Sequence, residues 1–160
     1  MIDTKDIDNV ETFLALSLLL EYESADRLKE LGRTMREQRA ERLADLLERL
    51  AGYSRKHAEE IHELAEGRIL PELVTGDFAW EGLEGPETTA FESVSADMSC
   101  DDMLQIALRN EIRGQDFYTR ISLESPSEEV RRMAAEFAAE ENEHVMLLEQ
   151  WIEAENRKSA

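Results

Sequence analysis

Two of the three histidines in this chain of 160 residues follow a glutamate by three positions: His62 follows Glu59, and His144 follows Glu141. Side chains three apart on a helix face the same way, so each Glu-x-x-His pair can offer a carboxylate and an imidazole to one ion. Carboxylate with imidazole, and no thiolate, suits iron or manganese; zinc could occupy such a site without redox chemistry. Metal binding is therefore the chemistry these residues can support. A single pair carries little weight, because glutamate is abundant here and chance produces the spacing readily.

Helical phase adds weight. At 100° per residue, Val130, Met133, Ala134, Phe137, Val145, Leu148 and Ile152 share one apolar arc with Glu141 and His144, while Glu140 and Glu143 point away. Glu111 sits within the stripe of Leu104, Ala107, Leu108 and Tyr118, and Glu21 within that of Leu14, Leu18, Ala25 and Leu28. On the second helix, His62 borders the stripe of Leu47, Leu50, Ala58, Ile61 and Ala65, and Glu59 needs a small rotation to turn inward. His57 lies off that stripe and reads as a surface or hydrogen-bonding residue. Ionisable groups on a core stripe cost several kcal/mol unless paired or metal-bound. Glu21, Glu59, His62, Glu111, Glu141 and His144 are thus the candidate ligands of two metal ions, and a metal-free buried polar network is the competing reading.

The elements that must position them are all helical. The expected helices cover about 9–32, 35–67, 100–123 and 126–156, in one domain spanning 1–160. Asp8 with Glu11, Thr34 with Glu37, and Ser99 with Asp102 have the spacing of helix starts, and Ser125, Pro126 and Glu128 supply a fourth. Short connections make two antiparallel hairpins, and the segment 68–99, with its prolines, glycines, Phe78, Trp80 and Phe91, must cross the length of an all-α four-helix bundle. A short helix can form within that crossover, and its aromatics are expected to pin it to the bundle. The hairpins look like copies. An offset of 90 brings Glu21 onto Glu111, and one of 82 brings Glu59 and His62 onto Glu141 and His144.

Composition narrows the function classes. Hydrophobic residues make up 42% and charged residues 34%, with a net charge of −19. Such a surface repels phosphates and argues against nucleic acid. Cys100 is the single cysteine, which excludes an internal disulfide and a tetrathiolate site. The N-terminus is acidic where a secretory signal is basic, and the apolar run 13–20 is too short to span a membrane, so a cytoplasmic protein is expected.

The segments EYESADRL from Glu21, EEIH from Glu59, EIRGQDFY from Glu111 and ENEH from Glu141 resemble the ferritin-like superfamily, and within it the rubrerythrin-type proteins. The resemblance covers nearly everything except the crossover. It implies a ferritin-like bundle holding two iron ions, each with one histidine and one terminal glutamate, the two remaining glutamates bridging. It also implies an oxidoreductase reaction of ferrous iron with hydrogen peroxide or oxygen, and a homodimer is the expected assembly. An iron-binding ferroxidase or storage protein, or a di-iron hydroxylase, are the alternatives. The chain departs from rubrerythrins in two places. It lacks the four cysteines of a rubredoxin-like domain, so the electron donor must be a separate protein. It also has Gly114 where rubrerythrins carry an extra glutamate, which leaves space beside the metals or lets helices pack closely.

Overall fold

The computed structural model describes residues 2–74 and 94–159, and the expectations for Phe78, Trp80, Phe91 and a short helix in the crossover lie outside them. After a 3-10 turn at Thr4–Asp6, the chain forms α1 (Val10–Glu37), α2 (Glu41–Leu64), α3 (Cys100–Glu124) and α4 (Glu128–Ser159). The architecture is an all-α four-helix bundle in which α1 packs along α2 and α3 along α4.

The core is divided. One apolar cluster holds Phe13, Leu14 and Leu20 of α1, Ala58 and Ile61 of α2, Phe117, Tyr118 and Ile121 of α3, and Val130, Ala134 and Phe137 of α4. The other holds Leu28 and Met35, then Leu43 and Leu47, then Met103, Leu104 and Ala107, then Leu148 and Ile152. Both α1 and α4 run from the first cluster to the second, whereas α2 and α3 run the other way. The order is therefore up, down, down, up. Leu70 and Leu73 pack against the first cluster, and Val94 and Met98 against the second. The connection from α2 to α3 thus joins opposite ends of the bundle.

Several helix ends differ from expectation. Asn9, not Asp8, caps α1, its side chain accepting from the Thr12 amide at 2.9 Å. That helix continues past Gly32 to Glu37, and the Thr34 hydroxyl bonds back to the Glu30 carbonyl at 3.1 Å instead of capping α2. Gly32 is buried where α1 meets α2; a Cβ there would lie 3.2 Å from Glu48 Cγ and 3.5 Å from the Ala44 carbonyl. Its role is close packing rather than termination. The turn instead closes at Arg39, which takes a left-handed φ of 62°. Arg36 ties the two helices together through Glu41, Asp45 and Glu48. Ser99 and Asp102 form the reciprocal cap of α3. Before α4, Ser127 accepts from the Val130 amide at 3.3 Å, whereas the Ser125 hydroxyl donates to the Ile7 carbonyl at 2.6 Å.

Gly52 lies inside α2 with nothing within 4 Å of the Cβ it lacks. Gly52→Ala should therefore raise the unfolding free energy by about 1 kcal/mol, read as a higher denaturant midpoint with an unchanged slope.

Candidate metal centre

Between the two apolar clusters each helix contributes polar side chains to one layer. Glu21 and Glu141 are each 2% exposed, and His57 is only 12% exposed along its side chain. The Nδ1 atom of His57 lies 3.2 Å from Glu21 Oε1 and 3.4 Å from Glu141 Oε1. The Nδ1 atom of His144 lies 3.6 Å from Glu111 Oε2 and 3.8 Å from Glu141 Oε2. Glu141 therefore turns one oxygen toward each imidazole; Glu111 is a further partner of His144, and His57 has Glu21 at Nδ1 and Glu140, 3.8 Å away, at Nε2. The two rings stack with centroids 4.5 Å apart. Tyr53, its centroid 5.6 Å from that of His144, bounds the layer toward one cluster. Phe13, Tyr118 and Phe137, mutually in edge or tilted contact, begin the other.

Low dielectric and mutual proximity shape the charges. Burial pushes the Glu21 carboxyl up to about 7, with His57 opposing. Burial and the charge on Glu141 push Glu111 up to about 8. Burial also works to raise Glu141, but hydrogen bonds involving His144, His57 and Glu111 outweigh it and hold this carboxyl well below the ordinary range. For His57 burial disfavours the charged ring, yet the bonds to Glu141 and Glu21 raise it to about 11. For His144 the same contest, with Glu111 and Glu141 as partners, ends at about 9. Without metal the layer is an ionised carboxylate bridging the Nδ1 edges of two stacked imidazolium rings, so that opposite charges offset part of the desolvation cost.

The structure brings together Glu21, Glu111, Glu141 and His144 of the six residues expected from sequence. It does not bring Glu59 or His62 to them. Both are exposed, and the ring of His62 pairs with the Tyr22 hydroxyl on the surface. The imidazole that α2 contributes is His57, which sequence reasoning set aside. The physical reason is register. Glu59 and His62 each follow a buried residue, Ala58 and Ile61, and so lie 100° round the helix from the core face. The matching offset between α2 and α4 is 87, the distance between their first residues Glu41 and Glu128. It pairs Leu43 with Val130, Leu47 with Ala134, Leu50 with Phe137, Ile61 with Leu148 and His57 with His144, all with matching burial. At that offset Ser54 answers Glu141, so a search for Glu-x-x-His could not find this pair. Matching the buried apolar positions first would have revealed it.

Three carboxylates and two imidazoles from four helices can hold a metal ion; the donor atoms of His57, Glu141 and His144 all lie within 4.8 Å of one another. A cavity of about 30 Å³ runs from the exposed Glu60, Leu64 and Glu140 past Ile61, Tyr118 and Phe137 to Glu21, His57 and Glu141. It has room for a water or two.

His57→Ala should abolish tight binding of ferrous or manganous ion in equilibrium dialysis, while Glu59→Gln and His62→Ala should leave it within about twofold of wild type. Both imidazoles are protonated at neutral pH, being raised to about 11 and about 9, and an ion at Nδ1 must displace those protons. Affinity should therefore rise with pH between about 6 and 9. Calorimetry in buffers of different ionisation heat should show protons released on binding.

Among the helices of the described residues, none is long and apolar enough to cross a membrane. No family model matches the chain, and no curated protein does. A crystal structure of COG1633, an uncharacterized conserved protein from Magnetospirillum magnetotacticum MS-1, is similar with a TM-score of 0.68 and 32% sequence identity. The match covers 91% of this chain and 95% of that one. With that identity sustained along nearly the whole of both chains, this four-helix bundle belongs to the COG1633 family of conserved proteins.

Proposed function

We propose that the chain is a ferritin-like, rubrerythrin-type metal protein whose buried centre binds iron and reacts ferrous iron with hydrogen peroxide or oxygen. The observation that carries this reading is Glu141, whose two oxygens face the Nδ1 atoms of His57 and His144, one each. Glu21 and His57 form one lobe of the centre and Glu111 and His144 the other, with Glu141 common to both. Iron bound there would supply one-electron redox chemistry and activate the oxygen species.

The protein's own groups have definable roles. The two imidazoles give up their Nδ1 protons to become ligands, and the carboxylates balance the charge of the ions. Phe137, Ile61 and Leu64 line one side of the cavity and keep bulk water from the layer, while Glu60 and Glu140 make its mouth negative and attractive to cations. A space of about 30 Å³ admits diatomic oxygen or peroxide but falls far below the several hundred Å³ of a site for a larger organic substrate. The size of the cavity therefore favours the small oxidants over hydroxylation of an organic molecule. A separate electron-donor protein would complete the reaction cycle.

Anaerobic loading with ferrous ion followed by peroxide tests the proposal. Ferric absorption should rise at least about tenfold faster than for the same iron in buffer, and Glu141→Ala should return it to the buffer rate. Equal rates with and without protein would reject the reading.

A further inference from the structure

His57 turns only one of its two ring nitrogens to the buried centre. Its Nδ1 atom faces Glu21 and Glu141 inside the layer, while Nε2 lies 3.8 Å from Oε2 of Glu140. Glu60, three residues further along α2, belongs to the same group: a donor atom from each of His57, Glu60 and Glu140 lies within 4.8 Å of the other two. Donors bound to one ion at about 2.1 Å stand about 3 to 4 Å apart, so small swings of the two exposed carboxylates complete the set. The ring needs no such movement. It is only 12% exposed, and the contacts of Nδ1 with two buried carboxylates fix its orientation, as outer partners of a ligating imidazole do.

The internal repeat confines this arrangement to one lobe. At the offset of 87, Glu140 is matched by Tyr53 and Glu60 by Leu147. An aromatic ring and a leucine therefore stand on the His144 side where the His57 side has two carboxylates, and the Tyr53 centroid is 5.6 Å from that of His144. The cavity of about 30 Å³ has Glu60 and Glu140 at its mouth and Glu21 and Glu141 at its inner end. The additional donors thus sit where the layer opens to solvent, and the other imidazole lies behind a ring.

We propose that His57 Nε2, Glu60 and Glu140 form an outer site for a divalent cation, where an ion bound for the buried centre exchanges part of its water shell for protein donors. Its role as an entrance rests on the reading of the layer as a metal site; Glu60 and Glu140 are not ligands of that layer. With three protein donors, and water in the remainder of the coordination shell, the outer site holds an ion weakly and releases it quickly.

Manganous ion is the probe, and the exchange rate of the buried ion is the readout. Glu60→Gln combined with Glu140→Gln should slow uptake at least about fivefold, followed by rapid-freeze electron paramagnetic resonance as loss of the free-ion signal. Release into excess chelator should slow by the same factor, leaving the dissociation constant within about twofold of wild type. Glu149→Gln combined with Glu153→Gln removes the same charge from the opposite, exposed face of α4 and should change neither rate by more than about twofold. The slowing should persist in about 1 M potassium chloride, where long-range attraction is screened. Equal rates in the two double variants would overturn the proposal and leave the metal reading intact. So would a slowing that vanishes in high salt, or a loss of affinity with no change in uptake. Binding of neither manganous nor ferrous ion by the wild type would overturn both.

Discussion

Glu141 is 2% exposed and faces two histidines, one from α2 and one from its own helix, so the cost of taking its charge from water is met by two helices at once. That requirement organises the centre. The imidazoles must sit close enough to stack, and each then needs a further carboxylate, which α1 and α3 provide at Glu21 and Glu111. Remove the central carboxylate and two rings that hold protons at neutral pH lose the partner they share. The same contacts that make the layer tolerable without metal hold the donors near the positions an ion requires.

The bundle and three of its four helical stripes were legible because apolar spacing at a period of 3.6 is a strong signal in long helices. Helical phase places Glu21, Glu111, Glu141 and His144 inside their stripes, and for Glu141 and His144 it agrees with the Glu-x-x-His spacing. On α2 the same reasoning met a competing cue. The written pattern Glu-x-x-His at Glu59 outweighed helical phase, although the need for a small rotation was already a warning. His57 carried no motif because its partner position is Ser54, and a serine three residues before a histidine attracts no notice. Helix ends were harder still. Gly32 looks like a terminator in a string of letters, and only the proximity of Ala44 and Glu48 shows it to be a point of close approach.

The internal repeat is a better guide when read from packing than from chemistry. Offsets of 90 for α1 with α3 and 87 for α2 with α4 also align the first residues of each pair of helices. The two hairpins share their apolar positions and one histidine each but differ at Ser54 and Glu141, and the up, down, down, up order brings the equivalent layers to the same height. A chain that crosses from one end of the bundle to the other can place two similar hairpins around one polar layer, whereas a short link would set their layers apart.

Dividing the core has a mechanical consequence. In most helical bundles the middle is the stiffest part and the ends fray, because apolar contacts accumulate toward the centre. Here the two apolar clusters occupy the ends, and the middle is spanned by a thin layer of side chains held by charge, to which Ser54 contributes little bulk. Helix contacts at this waist are few and polar, whereas those at either end are apolar and numerous. An occupied centre would act as a clasp at that waist, drawing on side chains of all four helices at once.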